Sequence, residues 1–310
     1  MYKINCKIIK SFLNNKERKY RRGLRNDYRP GMPLPEVIYK EIIFAFQEWG
    51  NYFMNGFKTK TLLAYPHFPS RHSALYKLCR FMHFNITNRL DRPFDIAIYY
   101  EDTTHRRQFH EMEEISKERK VINLKSRDIS KKNVDKHFTR VFGYSSFCDP
   151  KTYKGRCVKK SDANAMHDGQ VVECPVENPE PGFVYQKLLD NMAENQMHKD
   201  IRIPVIAGQI PYVFLQYRLP ENRFSIAKAA EMKPVDQILS KKEQELIVKL
   251  GNALGLEFGE MDVIRHQEDG YLYVIDVNNT PSTRARLFKK KEFRLFLKKQ
   301  AEIFKEAFLE

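Results

Sequence analysis

Residues 259–282, GEMDVIRHQEDGYLYVIDVNNTPS, alternate polar and apolar side chains in two runs separated by Glu268-Asp269-Gly270. Such alternation marks paired strands, and a three-residue loop ending in glycine is a favoured hairpin connection because its last residue takes a left-handed backbone. Pairing about Asp269 sets position 267 opposite 271, and therefore Asp262 opposite Asp276. Directly opposed side chains lie roughly 5 Å apart, and Asn278 shares the face of Asp276. Two opposed carboxylates repel unless a cation lies between them. Magnesium suits the position, because it takes oxygen ligands and is commonly held by one or two carboxylates plus substrate phosphates. The pattern predicts Asp262, Asp276 and Asn278 as metal ligands; the alternative is a solvated turn with two surface aspartates. Apolar Val274, Ile275 and Val277 beside Asp276 favour an ordered, partly buried strand.

The rest of the chain reads as two kinds of structure. After the turn-prone RPGMPLP, a helix over about 36–54 carries Ile38, Ile42, Phe46, Trp49 and Phe53 at helical spacing. A strand at 61–67, a helix at 73–85, a strand at 95–100, a charged helix at 106–119 and a strand at 121–124 follow, the alternation of a small parallel α/β domain. Beyond 128 a helix at 130–142 precedes strands near 156–160, 170–174, 184–189, 201–206 and 212–218. Strand following strand predicts an antiparallel sheet. Pro204 and Pro211 remove ladder donors, which predicts edge positions or bulges there. Ser240 and Glu243 form a capping box, Gly255 suits the end of that helix, and a basic amphipathic helix starts near 288.

The net charge of +15 suggests nucleic acid until it is divided along the chain. Residues 1–30 hold ten Lys/Arg against two acids, residues 284–310 hold nine against four, and the body between is nearly neutral. The charge belongs to the two ends, which argues against a nucleic-acid binder. No apolar run reaches the length of a membrane span, and the charged start lacks the apolar stretch of a signal peptide, so the expectation is a cytoplasmic protein. Five cysteines without metal-ligand spacing read as reduced thiols.

The hairpin is similar to the last two core strands of the ATP-grasp superfamily, in which an acid on one strand and an acid-x-Asn on the next hold magnesium. Asp262, Asp276 and Asn278 occupy those positions, with Asp where the family usually has Glu. DISKKNVDKHFTRVFGYSSF resembles the family's first phosphate-lysine segment, with Lys131 twelve residues before Gly143, and RCVKKSDANAMHDGQVVE resembles the second. Alternation does not separate Lys159 from Lys160; the family pattern favours Lys160. The flap between those strands, normally glycine-rich so that backbone N–H groups cover the phosphates, here reads DANAMHDG; with one glycine, Asn164 or His167 stands in as donor, or His167 handles a substrate proton. FVYQKLLDN resembles the interlobe hinge, which implies Gln186, Lys187 and Leu189 at the adenine and Asp190 at the ribose. In the next hairpin Arg202 and Arg218 reach phosphate or a substrate carboxylate.

The resemblance covers about residues 128–285. It implies an α/β (α+β) ATP-grasp fold, two α+β lobes gripping ATP behind a small parallel α/β domain. The implied divisions are 1–35 (basic extension), 36–127 (α/β domain) and 128–310, with a small lobe at 128–188 and a large lobe at 189–310. It implies an ATP- and Mg-dependent ligase that activates a carboxylate as an acyl phosphate for an amine or similar nucleophile, in cell-surface glycan or small-molecule biosynthesis with an acidic substrate. Two alternatives stand beside it: a kinase acting on a sugar or polyol hydroxyl, and a non-catalytic nucleotide-binding protein whose basic ends bind nucleic acid or acidic membrane. For the enzyme the ends imply peripheral contact with an anionic membrane, at its inner face, through the N-terminal segment and the C-terminal helix, the alternative for that helix being to pack on the body with its charges in water.

Overall fold

The computed structural model describes residues 34–166, 168–224, 227–283 and 285–309. The basic segment 1–30 and His167 lie outside the described residues, as do Ser225, Ile226 and Arg284. Two compact units are present: one runs through Glu101 and includes His110–Ile122, and the other comprises Asp102–Phe109 and Asn123–Glu310.

The first unit holds α1 (Leu34–Met54), β1 (Thr61–Pro66), α2 (Ala74–Phe81), β2 (Asn85–Thr87), β3 (Ile96–Tyr100), α3 (His110–Glu118) and β4 (Val121–Ile122). Its strands form a parallel sheet in the order β2-β1-β3-β4. Leu62, Leu63 and Ala64 of β1 and Ile96 to Tyr100 of β3 are buried continuously, as expected of strands covered on both faces. Strand β2 falls where the sequence suggested the end of a helix. The helix stops early, and Asn85 to Thr87 pair instead with Thr61 to Leu63.

The second unit holds α4 (Lys131–Phe142), β5 (Gly155–Ser161), β6 (Gln170–Cys174), β7 (Phe183–Lys187), β8 (His198–Ile206), β9 (Val213–Arg218), β10 (Ala229–Lys233), α5 (Lys241–Ala253), β11 (Phe258–Arg265), β12 (Leu272–Asn278) and α6 (Lys290–Phe308). Two antiparallel sheets form, β6-β5-β7 and β10-β9-β8-β11-β12, as the run of strands predicts. The edge expectation for Pro204 fails. Strand β8 lies inside its sheet, and Pro204 is tolerated because the ladder to β9 ends at Arg202. Strand β10 escaped the sequence reading because AAEMK is made of helix formers; pairing with β9 overrides that propensity.

Local chemistry fixes the elements that carry the site. Ser130 caps α4 by accepting from Asn133 N–H, and the predicted Ser240–Glu243 capping box opens α5. Phe138 and Tyr144 pack by their rings against Tyr273, and the Tyr144 hydroxyl donates to Leu272 O at 2.7 Å, tying α4 to β12. Buried Asn123 locks the start of β11, donating to Phe258 O at 2.7 Å and accepting from Glu257 and Phe258 N–H. The thiols of Cys79, Cys148, Cys157 and Cys174 are free.

Both helix-ending glycines, Gly143 (φ +86°) and Gly255 (φ +64°), are left-handed, but only at Gly255 is the surrounding space closed. A β-carbon there would lie 2.6 Å from Lys125 Cβ and 2.7 Å from its carbonyl carbon. Gly143→Ala is expected to cost only the left-handed backbone term, about 1–2 kcal/mol. Gly255→Ala adds a backbone clash, so its thermal midpoint should fall clearly further than that of Gly143→Ala in parallel melts.

Candidate active site

Strands β8, β11 and β12 run side by side, and their register puts Arg202, Asp262 and Asp276 in one cross-strand row. Asp262 opposes Asp276 as the sequence predicts, but by a different route. Near the turn the register is one residue shorter than expected: Arg265 pairs with Leu272, and His266 N–H donates to Tyr271 O. A bulge between Asp262 and Val263, with Ile275 as the extra residue of β12, restores the pairing of the two aspartates. The Ile275 carbonyl accepts a 3.0 Å hydrogen bond from Lys160 Nζ.

On the Asp262 side an arginine lies against the carboxylate. Arg202 Nε and Nη2 donate to the two Asp262 oxygens at 2.7 and 2.8 Å, and Nη1 lies 3.5 Å from Glu260. Burial alone would raise the Asp262 carboxyl, but the Arg202 charge and fork outweigh it and hold the group below the usual carboxylate range. Asp276 has no such fork. Burial raises its pKa, with Lys131 and Lys160 opposing and Asp262 reinforcing the shift. Burial also depresses Lys160, to about 8, against the pull of Asp276 and with the push of Lys131.

These groups line one cavity of about 200 Å³ together with Asp168, Asp200, Gln216, Arg218, Arg223 and Phe224. Lys131, the first residue of α4, is buried and donates from Nζ to Ala163 O at 2.8 Å. Lys160 faces the cavity, whereas Lys159, on the other phase of β5, pairs with Glu180 and lies over the Phe183 ring. Arg218 pairs with buried Asp200, and Arg223 donates to Leu189 O at 2.9 Å.

The flap is tied down by side chains and by the start of α4. Lys131 N–H donates to Asp162 O and Lys132 N–H to Asp162 Oδ1, so these helix-terminal donors are used internally. Asn164 donates from Nδ2 to Val277 O at 3.1 Å and to Asn278 Oδ1 at 3.0 Å, while its own Oδ1 is buried without a hydrogen-bond partner.

The hinge residues are placed differently from the cavity set. Gln186 is buried and donates to Ser146 Oγ; Lys187 lies over the Tyr273 ring; the Leu189 side chain joins the core; Asp190 is exposed and accepts from Met192 N–H. None of the four lines the cavity. Sequence reasoning missed Asp168, Asp200, Gln216, Arg223 and Phe224. Asp200 and Gln216 were findable, since each shares a strand face with Arg202 or Arg218 two residues away. Arg223 and Phe224 sit in a loop with no periodic signal.

Among the described residues no group of three His, Cys, Asp or Glu side chains is arranged to hold a metal by itself. The donor chemistry nevertheless fits a hard cation that brings other ligands with it. Asp276 is a part-buried carboxylate outside the arginine fork, and the partnerless Asn164 Oδ1 lies beside Asn278. Each Asp262 oxygen accepts one hydrogen bond from Arg202 and keeps a further lone pair that such a set could use.

No protein-family model matches the sequence, and no curated protein matches it. Solved structures do resemble the fold, and ATP-grasp ligases are among them. The ligase PsnB, complexed with a minimal precursor, shares 19% identity over 58% of this chain, with a TM-score of 0.40. This chain covers 64% of that one, under two thirds of its length. The D-cycloserine synthetase DcsG shares 11% identity over 78% of this chain and 98% of its own, with a TM-score of 0.46. The D-alanine–D-alanine ligase from Bacillus anthracis, complexed with ATP, shares 11% over 80% and 96%, with a TM-score of 0.48.

The opposite shifts of the two aspartates give opposite pH behaviour. The low pKa of Asp262 adds stability that is present above the unfolded value of about 3.9 and lost as pH falls. The raised pKa of Asp276 is a penalty present at neutral pH and absent below about 3.9. Asp262→Asn leaves Arg202 short of its partner and is expected to cost about 3–5 kcal/mol at pH 7. Asp276→Asn should cost less than about 1 kcal/mol or stabilise, because it removes a carboxylate that burial disfavours. Thermal melts of both variants at pH 7 and pH 4 check the order, and the deficit of Asp262→Asn should shrink at the lower pH.

Proposed function

We propose that this chain is an ATP-dependent ligase that activates a substrate carboxylate. The observation that carries the reading is one cavity wall bearing Lys131 and Lys160 across from Asp276, with Arg202, Arg218 and Arg223 around it. Lys131 and Lys160 donate to backbone carbonyls and so keep their charge for an anion, and the unforked Asp276 leaves an oxygen for a metal that the anion brings with it.

In this reading Lys131 and Lys160 bind the phosphates of ATP, and Asp276 with Asn278 holds magnesium. Bound magnesium supplies charge neutralisation at the terminal phosphates. The substrate carboxylate attacks the terminal phosphorus and ADP leaves; an amine or similar nucleophile then attacks the acyl carbon and phosphate leaves. Lys160 and an arginine released from its aspartate stabilise the charge that builds on the transferred group, so positioning and electrostatics do most of the work. Asn164, with its unmatched acceptor, orients a donor on the substrate side. Gln186, Lys187, Leu189 and Asp190 remain the proposed nucleotide-base and ribose contacts through their backbone or after rearrangement, and His167 a proposed proton handler.

Calorimetry tests the phosphate site. Lys131→Ala and Lys160→Ala should each weaken ATP binding by about 10- to 100-fold, the value of a charged hydrogen bond, whereas Lys159→Ala should leave it unchanged. Unaltered affinity in both cavity variants would overturn the assignment. Because Lys160 titrates near 8 and binding requires its charge, wild-type affinity should fall above that pH by up to about tenfold per unit. Lys160→Ala should flatten that fall. Asp276→Asn should abolish magnesium-dependent turnover while ATP still binds. Labelled ATP should give ADP and phosphate; pyrophosphate as product would exclude the acyl-phosphate route.

A further inference from the structure

Helix α1 is attached to its unit by its polar side. Buried Asn51 donates to Phe84 O at 3.1 Å and to Asn85 Oδ1 at 2.9 Å, and the Tyr76 hydroxyl donates to Gln47 Oε1. The apolar residues that its periodicity marks face outward. Ile38, Tyr39, Ile42, Phe46, Trp49 and Phe53 are 49–73% exposed. At 100° per residue those six positions fall within roughly a 100° arc, one continuous stripe along a 21-residue helix. None of the six is charged. No described residue covers this apolar stripe, and a contiguous exposed apolar patch marks an interaction site.

Charge decides what covers it. The thirty residues at the start of the chain, just before α1, net +8, and the whole chain nets +15. A second copy pairing through α1 would bring two such segments together against their repulsion. An anionic lipid surface attracts the same charge while its acyl boundary takes the stripe. The stripe's composition also fits, since Trp and Tyr collect at membrane interfaces and Ile and Phe enter below the headgroups. No described helix is long and apolar enough to cross a membrane, so α1 would lie in the plane of the surface. The C-terminal helix offers no rival apolar face: Phe296, Leu297, Ile303 and Phe304 are buried. Helix α6 thus packs its apolar residues inward, one of the two placements its sequence allows.

We infer that the outward stripe of α1, aided by the basic segment preceding it, docks this protein onto an anionic membrane surface. The docking is independent of the ligase reading. Trp49 is the only tryptophan in the chain and stands in the stripe, so its fluorescence reports the docking directly. The full-length chain is titrated with vesicles of phosphatidylcholine alone and of phosphatidylcholine with phosphatidylglycerol, at low and high salt, and pelleted in parallel. The expected result is a blue shift of Trp49 and co-sedimentation with the phosphatidylglycerol vesicles at low salt, both weakened by salt. Ile42→Glu and Phe53→Glu, at exposed positions, should each reduce co-sedimentation at least about tenfold while the thermal midpoint and ATP turnover stay at wild-type values. The inference is overturned by the absence of a shift with either vesicle, or by undiminished co-sedimentation of both glutamate variants. It is equally overturned by a blue shift that grows with protein concentration without lipid, which would identify a second copy as the occupant.

Discussion

The arginine fork between β8 and β11 is the interaction on which the rest of the cavity depends. Arg202 and Asp262 are direct cross-strand neighbours, and their two hydrogen bonds are part-buried, so neither charge can be left alone cheaply. The pairing offsets the repulsion between the two opposed aspartates. It also divides their roles, with Asp262 neutralised in place and Asp276 left facing two lysines. A single guanidinium thereby makes two chemically identical side chains, 14 positions apart, behave in opposite ways.

The bulge at Ile275 completes that arrangement. An extra residue in one strand shifts every later side chain by one position relative to its partner, and here the shift is what carries Asp276 back opposite Asp262. Its carbonyl also accepts from Lys160, which orients the ammonium group beside Asp276. The flap follows the same economy. Where a glycine-rich loop would offer backbone N–H groups, this loop is fastened by Asp162, Asn164 and the Lys131 ammonium. An anion entering this cavity would meet lysine and arginine side chains, whose charge is sensitive to burial, and not fixed backbone dipoles.

Helix α1 illustrates how periodicity can be right and its usual meaning wrong. Ile38, Ile42, Phe46, Trp49 and Phe53 do share one face, yet that face points away from the unit. Inward lies an amide network centred on Asn51, which donates to Phe84 O and Asn85 Oδ1 and accepts from Arg80. Spacing reports which residues travel together on a helix. It carries no information about which side meets the body, because that depends on what the neighbouring elements present.

Local rules in the chain itself determined much of this protein: the parallel and antiparallel portions, the helix near 130–142, the capping box at Ser240 and the closing hairpin, whereas the pairing of Asp262 with Asp276 also needs the bulge at Ile275. These follow from side-chain alternation, caps and turn residues acting over a few positions, and they are legible without coordinates. The choice of Lys160 over Lys159 was only half legible, since alternation ties each lysine to a face but does not name the face. Tertiary structure decided the rest. Asp200, Arg223 and Phe224 reach the cavity from separate segments, AAEMK becomes a strand by pairing with β9, and Asp262 meets Arg202 from sixty residues away. Each of these depends on strand order and register, which set the distance between residues remote in sequence, and that distance is what fixes the charge, burial and chemistry of every group in the site.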